Sequence, residues 1–237
     1  MKLNIPKIEF NYDCFIVGGF VRDQLLNVES KDIDLCIVAP FDEIKNEVKR
    51  LGGEVFIEKP EYLTVRCKLP ELGDVDIAVA RKDGEYSDGR RPDETFVANN
   101  IYDDLMRRDF TANAIAVDLK TGEVVDPFDG VADTYNKKLR CVGTASYRFR
   151  EDYLRLCRAM RFSICKYFTL EDEIEFCLSD NVIMAGLKKV STERIYDEMF
   201  KCFKFNTIAT LNFLEDYPLM KEVFEEKLWL KPTMERK

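Results

Sequence analysis

The sequence predicts an α+β chain, and three observations carry that expectation. Between about residues 12 and 126, short apolar runs alternate with helical stretches, the pattern of a unit built from both strands and helices. From residue 151 to 224 the apolar spacing is helical almost throughout. Between the two lies Asp126-Pro127-Phe128-Asp129-Gly130, after which the character of the chain changes. The division that follows is a first domain at residues 1–137 and an all-helical domain at 138–237, with no internal repeat and no low-complexity segment.

Taken in order, Cys14-Phe15-Ile16-Val17 reads as a buried strand that ends at Gly18-Gly19. A helical pattern follows, with Val21, Leu25 and Leu26 on one face. Strand, Gly-Gly, helix is an arrangement that cradles phosphate. Glycines let the backbone approach an anion, and the N–H groups at the helix start supply donors, with Arg22 adding positive potential. Gly18, Gly19 and Arg22 are therefore candidate phosphate ligands.

The next strand opens with Asp32-Ile33-Asp34 and continues through Leu35, Cys36, Ile37 and Val38. Residues i and i+2 of a strand point to one face, roughly 6–7 Å apart along it. Two carboxylates so placed repel each other. Outside a salt bridge, a metal ion relieves them, and hard oxygen ligands beside a phosphate-binding turn favour magnesium. An isolated Asp-X-Asp reads as a solvated strand edge, but here the pair sits at the mouth of an otherwise apolar strand.

Residues 41–51 read as an amphipathic helix ended by Gly52-Gly53, and residues 54–57, 62–68 and 74–80 as strands. In the last of these, Val75, Ile77 and Val79 take one face while Asp76 takes the other, flanked by the small Ala78 and Ala80. Asp74 shares the Asp76 face, and its place at the strand start favours a turn role. Residues 81–95, rich in Gly, Asp, Arg and Pro, read as a mobile loop, and 99–106 as a helix. In the second half, Leu154, Cys157, Met160 and Ile164 mark one helix and Ile195, Met199 and Phe203 another.

Composition narrows the chemistry. The chain has 237 residues, 46% hydrophobic and 34% charged, an ordinary globular balance with room for a real core. No stretch approaches the roughly 20 apolar residues that span a bilayer, so no membrane association is expected. Residues 1–10 show neither a continuous apolar run nor a cleavage-like site, which predicts no signal peptide. Eight cysteines without a Cys-x-x-Cys read as small core residues in a reducing cytoplasm. The absence of histidine excludes Ser-His-Asp and Cys-His catalysis, leaving carboxylates, metal, Arg and Lys. The net charge of −8 hides basic islands at Arg90-Arg91, Arg107-Arg108, Lys137-Lys138 and the series Arg148, Arg150, Arg155, Arg158, Arg161.

Taken together, Gly18-Gly19-x-Val21-Arg22-Asp23, Asp32-x-Asp34, Arg107-Arg108-Asp109-Phe110-Thr111-x-Asn113-Ala114, Asp126-Pro127-Phe128 and Glu151-Asp152-x-x-Arg155-x-x-Arg158-Ala159-x-Arg161-Phe162 resemble the head and neck of class II CCA-adding enzymes and bacterial poly(A) polymerases, within the polymerase-β-like nucleotidyltransferases. The resemblance implies a head with a mixed sheet and helices, followed by an all-α neck and short body. It implies that Asp32 and Asp34 bind two magnesium ions and that Asp76 matches the third acidic position. It further implies that Gly18, Gly19 and Arg22 hold the triphosphate of CTP or ATP, and that Arg108, Asp109 and Asn113 contact its ribose. Asp152 and Arg155, at i and i+3 of one helix, match the pair that reads the incoming base without a nucleic-acid template. On spacing alone they also read as an ordinary helix-surface salt bridge. Glu151, Arg158 and Arg194 take supporting roles, although Arg158 also reads as the partner of a nearby acid and the segment around Arg194 as a plain helix cap.

The implied activity is addition of C, C and A to the 3′ end of tRNA, a transferase reaction of tRNA processing in the cytoplasm. Asp88-Gly89-Arg90-Arg91-Pro92-Asp93 resembles the loop linked in the family with the change from C to A addition, which favours full CCA addition over a C-only enzyme. A poly(A) polymerase is the runner-up, and a non-catalytic nucleotide- or RNA-binding protein the reading from another class. Family members continue through a longer helical body than follows here. Tight tRNA binding by this chain alone is therefore not expected; the alternatives are a smaller acceptor, a homodimer, a protein partner that compensates for the short body, or catalysis with weak substrate affinity.

Overall fold

The computed structural model describes residues 5, 8–30 and 32–229. The reading of residues 1–10 as lacking a leader falls partly outside them. The chain forms two compact units, Met1–Gly84 with Glu94–Asn136, and Glu85–Asp93 with Lys137–Lys237. The segment Glu85–Asp93, which the sequence groups with the first domain, thus clusters with the second unit.

The first unit is built on seven strands: β1 (Cys14–Val17), β2 (Ile33–Ile37), β3 (Glu54–Lys59), β4 (Thr64–Leu69), β5 (Gly73–Val79), and two that follow a short ribbon. That ribbon pairs β6 (Arg81–Asp83) with β7 (Thr95–Val97); β8 (Ala116–Asp118) and β9 (Val124–Val125) then complete the sheet. The sheet order is β3-β4-β5-β2-β1-β8-β9. It is mixed, with β2 and β5 parallel and the remaining pairs antiparallel. Helices α1 (Gly19–Leu25), α2 (Glu43–Arg50), α3 (Ile101–Met106) and α4 (Gly130–Tyr135) belong to the same unit.

Strand periodicity explains the two faces of the sheet. Val65, Cys67 and Leu69 of β4 and Val75, Ile77 and Val79 of β5 are buried, and with Ile16, Leu35, Ile37, Ile44 and Val48 they form the core. The alternate positions Arg66, Asp76 and Ala78 look the other way. Residues 81–95 depart from the sequence expectation of a loop throughout. The ribbon closes the base of this excursion by backbone pairing of Arg81 with Val97 and Asp83 with Thr95, which side-chain periodicity does not announce.

The second unit is helical: α5 (Ala145–Glu151), α6 (Leu154–Lys166), α7 (Asp172–Ser179), α8 (Asn181–Leu187), α9 (Thr192–Phe205), α10 (Thr207–Asp216) and α11 (Pro218–Phe224). One correction applies to the expected all-α character: β10 (Lys138–Leu139) and β11 (Thr169–Leu170) pair in parallel. The cause is the end of α6, where Tyr167 takes a left-handed conformation at φ 59° and redirects the chain alongside residues 138–139. Phe149, Leu156, Met160, Phe162, Ile174 and Ile195 fill the core of this unit. Phe162 meets Phe168 edge-on at 5.7 Å between ring centroids, a favoured aromatic geometry.

Candidate active site

Backbone register brings two of the predicted acids together. Asp34 on β2 and Asp76 on β5 are direct partners across the parallel pair, so both side chains leave the sheet on one face at adjacent strands. The same row continues to Arg66 on β4, the partner of Asp76, and to Val17 on β1, the partner of Asp34. This row lines a pocket of about 360 Å³, whose other walls include Lys59, Thr64 and Arg108. Asp32 precedes β2 and is not among the pocket-lining residues.

The electrostatics of the pocket centre on Asp34. Loss of hydration raises its carboxyl above the ordinary aspartate value; the guanidinium of Arg108 opposes this, and the charges of Asp76 and Asp32 reinforce it. Acids crowded in this way are hard oxygen donors whose repulsion a divalent cation would neutralise, so Asp34 and Asp76 fit magnesium in chemistry and in register. Among the described residues no group of three His, Cys, Asp or Glu converges closely enough to hold a metal ion.

Behind the acids lies a scaffold that the sequence reading did not single out. Asp104 on α3 is fully buried and accepts from Arg107 Nη2 at 2.6 Å and from Arg108 Nη2 at 2.9 Å. Burial disfavours its ionisation, but the guanidiniums of Arg108 and Arg107 more than offset this and hold the carboxyl below its usual value. The i, i+3, i+4 spacing of Asp104, Arg107 and Arg108 was a legible signal for this cluster. Arg108 is thereby aimed at the pocket, and its Nη1 also donates to the Asn113 carbonyl at 3.3 Å.

Gly18 caps α1 at φ 73°, a conformation that glycine adopts freely. A Cβ there would lie 3.0 Å from Arg108 Nη1, so the absence of a side chain permits the close approach of that guanidinium. Gly19 opens α1, and a Cβ on it would lie 3.5 Å from Arg22 Nη2. Arg22 is buried, with Nε and Nη2 on Asp23 Oδ1 at 3.0 and 2.9 Å, and Nη1 donating to Asn113 Oδ1. The Asn113 amide in turn donates to Asp109 Oδ1 at 2.9 Å, which also accepts from the Phe110 N–H. Arg22, distant in sequence from the other two, thus joins Asn113 and Asp109 in one buried polar chain.

In the second unit the structure corrects the placement of Asp152 and Arg155. They do not share a helix: α5 ends at Glu151, Asp152 is extended at φ −145° and ψ 104°, and Arg155 belongs to α6. Nor do they form the helix-surface salt bridge that spacing allows. Asp152 Oδ2 accepts from Arg194 Nη2 at 2.9 Å, while Arg155 Nη1 donates to Glu151 Oε2 at 2.7 Å and to the Arg148 carbonyl at 3.0 Å. Asp152 Oδ1 also accepts from the Leu154 N–H at 3.1 Å and so fixes the start of α6. Of the supporting residues, Glu151 holds Arg155 and Arg194 holds Asp152 directly. Arg161 pairs with Glu198, whose carboxyl the nearby Arg158 charge also helps to lower. Ser191 is the N-cap of α9 without a side-chain cap hydrogen bond.

The helix break is set by Tyr153. Its N–H donates to the Gly89 carbonyl at 3.2 Å, and its ring lies against Gly89 and Gly186, where an added Cβ would come within 2.5 and 2.0 Å of ring carbons. Both glycines therefore leave room for the ring, and Gly89 at φ 69° also meets a backbone conformation that favours glycine.

With this geometry in view, comparison with known proteins gives a consistent answer. The model of the Poly A polymerase head domain matches residues 14–140. The CCA-adding enzyme of Lactobacillus johnsonii is 42% identical over 193 residues, covering 81% of this chain and 46% of that protein. A crystal structure of the Bacillus stearothermophilus CCA-adding enzyme in complex with CTP aligns with a TM-score of 0.74 at 30% identity, covering 90% of this chain and 48% of that one. A tRNA nucleotidyltransferase complexed with a primer tRNA and an incoming ATP analog aligns with a TM-score of 0.75 at 29% identity, covering 90% and 59%. The chain spans about half the length of the curated relatives it matches. The mixed sheet, its paired acids and a family match over more than half of the residues lead to one conclusion: this chain belongs to the Poly A polymerase head domain family.

Proposed function

We propose that this protein is a template-independent RNA nucleotidyltransferase that adds C, C and A from CTP and ATP to the 3′ end of tRNA. The observation that carries the reading is the pairing of Asp34 with Asp76 inside a pocket that Arg108 also lines. The CCA-adding relative and the neighbours bound to CTP, to primer tRNA and to an ATP analog support the same substrates. Residues 1–137 would carry the chemistry and 138–237 the recognition of base and RNA.

In the reaction the 3′-oxygen of the acceptor attacks the α-phosphorus of the nucleotide, the bond to the β,γ-phosphates breaks, and pyrophosphate leaves. Asp32 and Asp34 would hold two magnesium ions, with Asp76 as the third acid of the site; such ions would activate the 3′-hydroxyl and neutralise charge on the triphosphate. Gly18, Gly19 and Arg22 form the triphosphate end of the site; Arg22, anchored by Asp23 and Asn113, contributes its field from a fixed position. Arg108, Asp109 and Asn113 orient the ribose, where hydrogen bonding to the 2′-hydroxyl distinguishes RNA precursors from DNA precursors. Asp152 and Arg155 read the Watson–Crick edge of the base, one accepting and one donating, each held by its own partner, Arg194 or Glu151.

A second reading, poly(A) synthesis, is favoured by the family description alone. The eight free thiols suit a reducing compartment such as the cytoplasm, and no described helix is long and apolar enough to cross a membrane. A second copy of the chain or a protein partner would extend the grip on tRNA. The deciding experiment is incorporation of labelled CTP and ATP, singly and together, into tRNA transcripts ending before the first C, the second C and the A, with magnesium and with chelator. Ordered addition that stops at CCA supports the proposal. A long ATP-only ladder on unrelated RNA assigns poly(A) synthesis instead, and no incorporation on any transcript overturns catalysis by this chain.

A further inference from the structure

We infer that Arg66 and Lys59 bind the terminal phosphodiester of the acceptor RNA and so position its 3′-hydroxyl beside Asp76. The row of cross-strand partners runs Ile57, Arg66, Asp76, Asp34 and Val17 over adjacent strands β3, β4, β5, β2 and β1. Strands in a sheet lie about 4.8 Å apart, so Arg66 is one strand from Asp76 and two from Asp34, on the same face. Val17 leads directly into the Gly18-Gly19 turn, which belongs to the triphosphate end under the function proposed above, and the present inference rests on that reading. The acids occupy the middle of the row. In-line displacement requires nucleophile and leaving group on opposite sides of the reacting phosphorus, and the far side of the row is the Arg66 side.

The chemistry at that end suits a phosphodiester. Arg66 and Lys59 both line the pocket and are both solvent-accessible. Arg66 forms no ion pair among the described residues, even though Asp76 is its register partner. Thr64, the register partner of Lys59 at the end of β3, adds a hydroxyl to the same wall. A planar guanidinium with a flexible ammonium beside it matches the two free oxygens of a phosphodiester. In a chain with a net charge of −8, a cationic wall next to catalytic acids also draws the RNA backbone past them.

The test is equilibrium binding, without turnover, of a 5′-labelled RNA hairpin with a single-stranded 3′ end, alongside binding of CTP and of pyrophosphate to the same preparations. Arg66→Ala and Lys59→Ala should each weaken RNA binding about five- to tenfold and lower the log–log salt slope by about 0.7 for each phosphate that is no longer neutralised. Affinity for CTP and pyrophosphate should change less than about twofold on the same scale. Arg66→Lys should recover part of the RNA affinity lost in Arg66→Ala, since the ammonium keeps the charge but not the planar donor pair. Unchanged RNA affinity in both alanine variants overturns the inference. An equal loss for CTP or pyrophosphate also overturns it, by placing Arg66 at the triphosphate. Failure of the proposed function is read separately, as absence of nucleotide incorporation by the unsubstituted chain into the same hairpin.

Discussion

Asp34 and Asp76 are direct partners in the register of two adjacent parallel strands, although 42 positions separate them in sequence, 76 − 34. Both therefore leave the same face at adjacent strands, and after loss of hydration the negative charge of Asp76 contributes to the raised carboxyl of Asp34. Removing either should remove catalysis without unfolding the chain, because both reach solvent at the pocket. Asp34→Ala and Asp76→Ala are expected to lower nucleotide incorporation on the order of a thousandfold, equivalent to about 4 kcal/mol in the barrier. Single-turnover assays, with circular dichroism as the control for folding, measure this.

Asp104 neutralises two arginines from a fully buried position, so its loss strands charge beside the core. Asp104→Ala should destabilise the chain by about 3–5 kcal/mol, the usual cost of breaking a buried ion pair from one side. Urea unfolding at neutral pH gives the number. A deficit below about 1 kcal/mol would show that the arginines find water or other partners.

The same group predicts a pH dependence. The folded carboxyl of Asp104 lies below its unfolded value, so its contribution to stability is full above the ordinary aspartate range near about 3.9. It is lost as pH falls through the folded value, where protonation releases the arginines. The deficit of Asp104→Asn relative to the unsubstituted chain should therefore be constant from pH ~7 to ~5 and should shrink below pH ~4. Urea titrations across that range test the sign.

Base selection should depend on the partners of Asp152 and Arg155 as well as on the pair itself. Asp152→Ala or Arg155→Ala should reduce discrimination of CTP and ATP against UTP and GTP by tenfold or more, from the roughly 1–3 kcal/mol of a good base contact. Arg194→Ala frees the Asp152 carboxylate and should give a smaller loss in the same direction. Ratios of kcat/KM over the four nucleotides decide it. Unchanged ratios in all three variants would remove base reading from this turn.

Gly186→Ala should destabilise the helical unit by about 1–3 kcal/mol, because its Cβ would overlap the Tyr153 ring. Combining it with Tyr153→Ala should recover part of that loss, a non-additivity that a double-mutant cycle measures directly. Strict additivity would mean that the glycine and the ring do not meet.

Much of the fold was legible because periodicity acts locally. The strand at Cys14–Val17, the amphipathic α2 and the alternation that turns Asp76 away from Val75 and Ile77 follow from which neighbours need burial. The ribbon formed by β6 and β7 was not legible, since backbone pairing outside a packed core leaves no apolar pattern. The break at Asp152 was hidden for another reason: helical spacing continues across it, while the interruption comes from Tyr153 docking between glycines distant in sequence.

The sequence by itself determined the fold class, the carboxylates, the glycine turn and the exclusion of histidine chemistry, because residue type and short-range spacing suffice for each. Only the tertiary structure decided that Asp34 meets Asp76 and not Asp74, that Arg66 extends their row, that Asp104 anchors Arg107 and Arg108, and that Asp152 answers to Arg194. Strand register and ion-pair choice are settled by which long-range packing buries the most apolar surface while leaving the fewest charges unpaired, and that balance is a property of the folded chain.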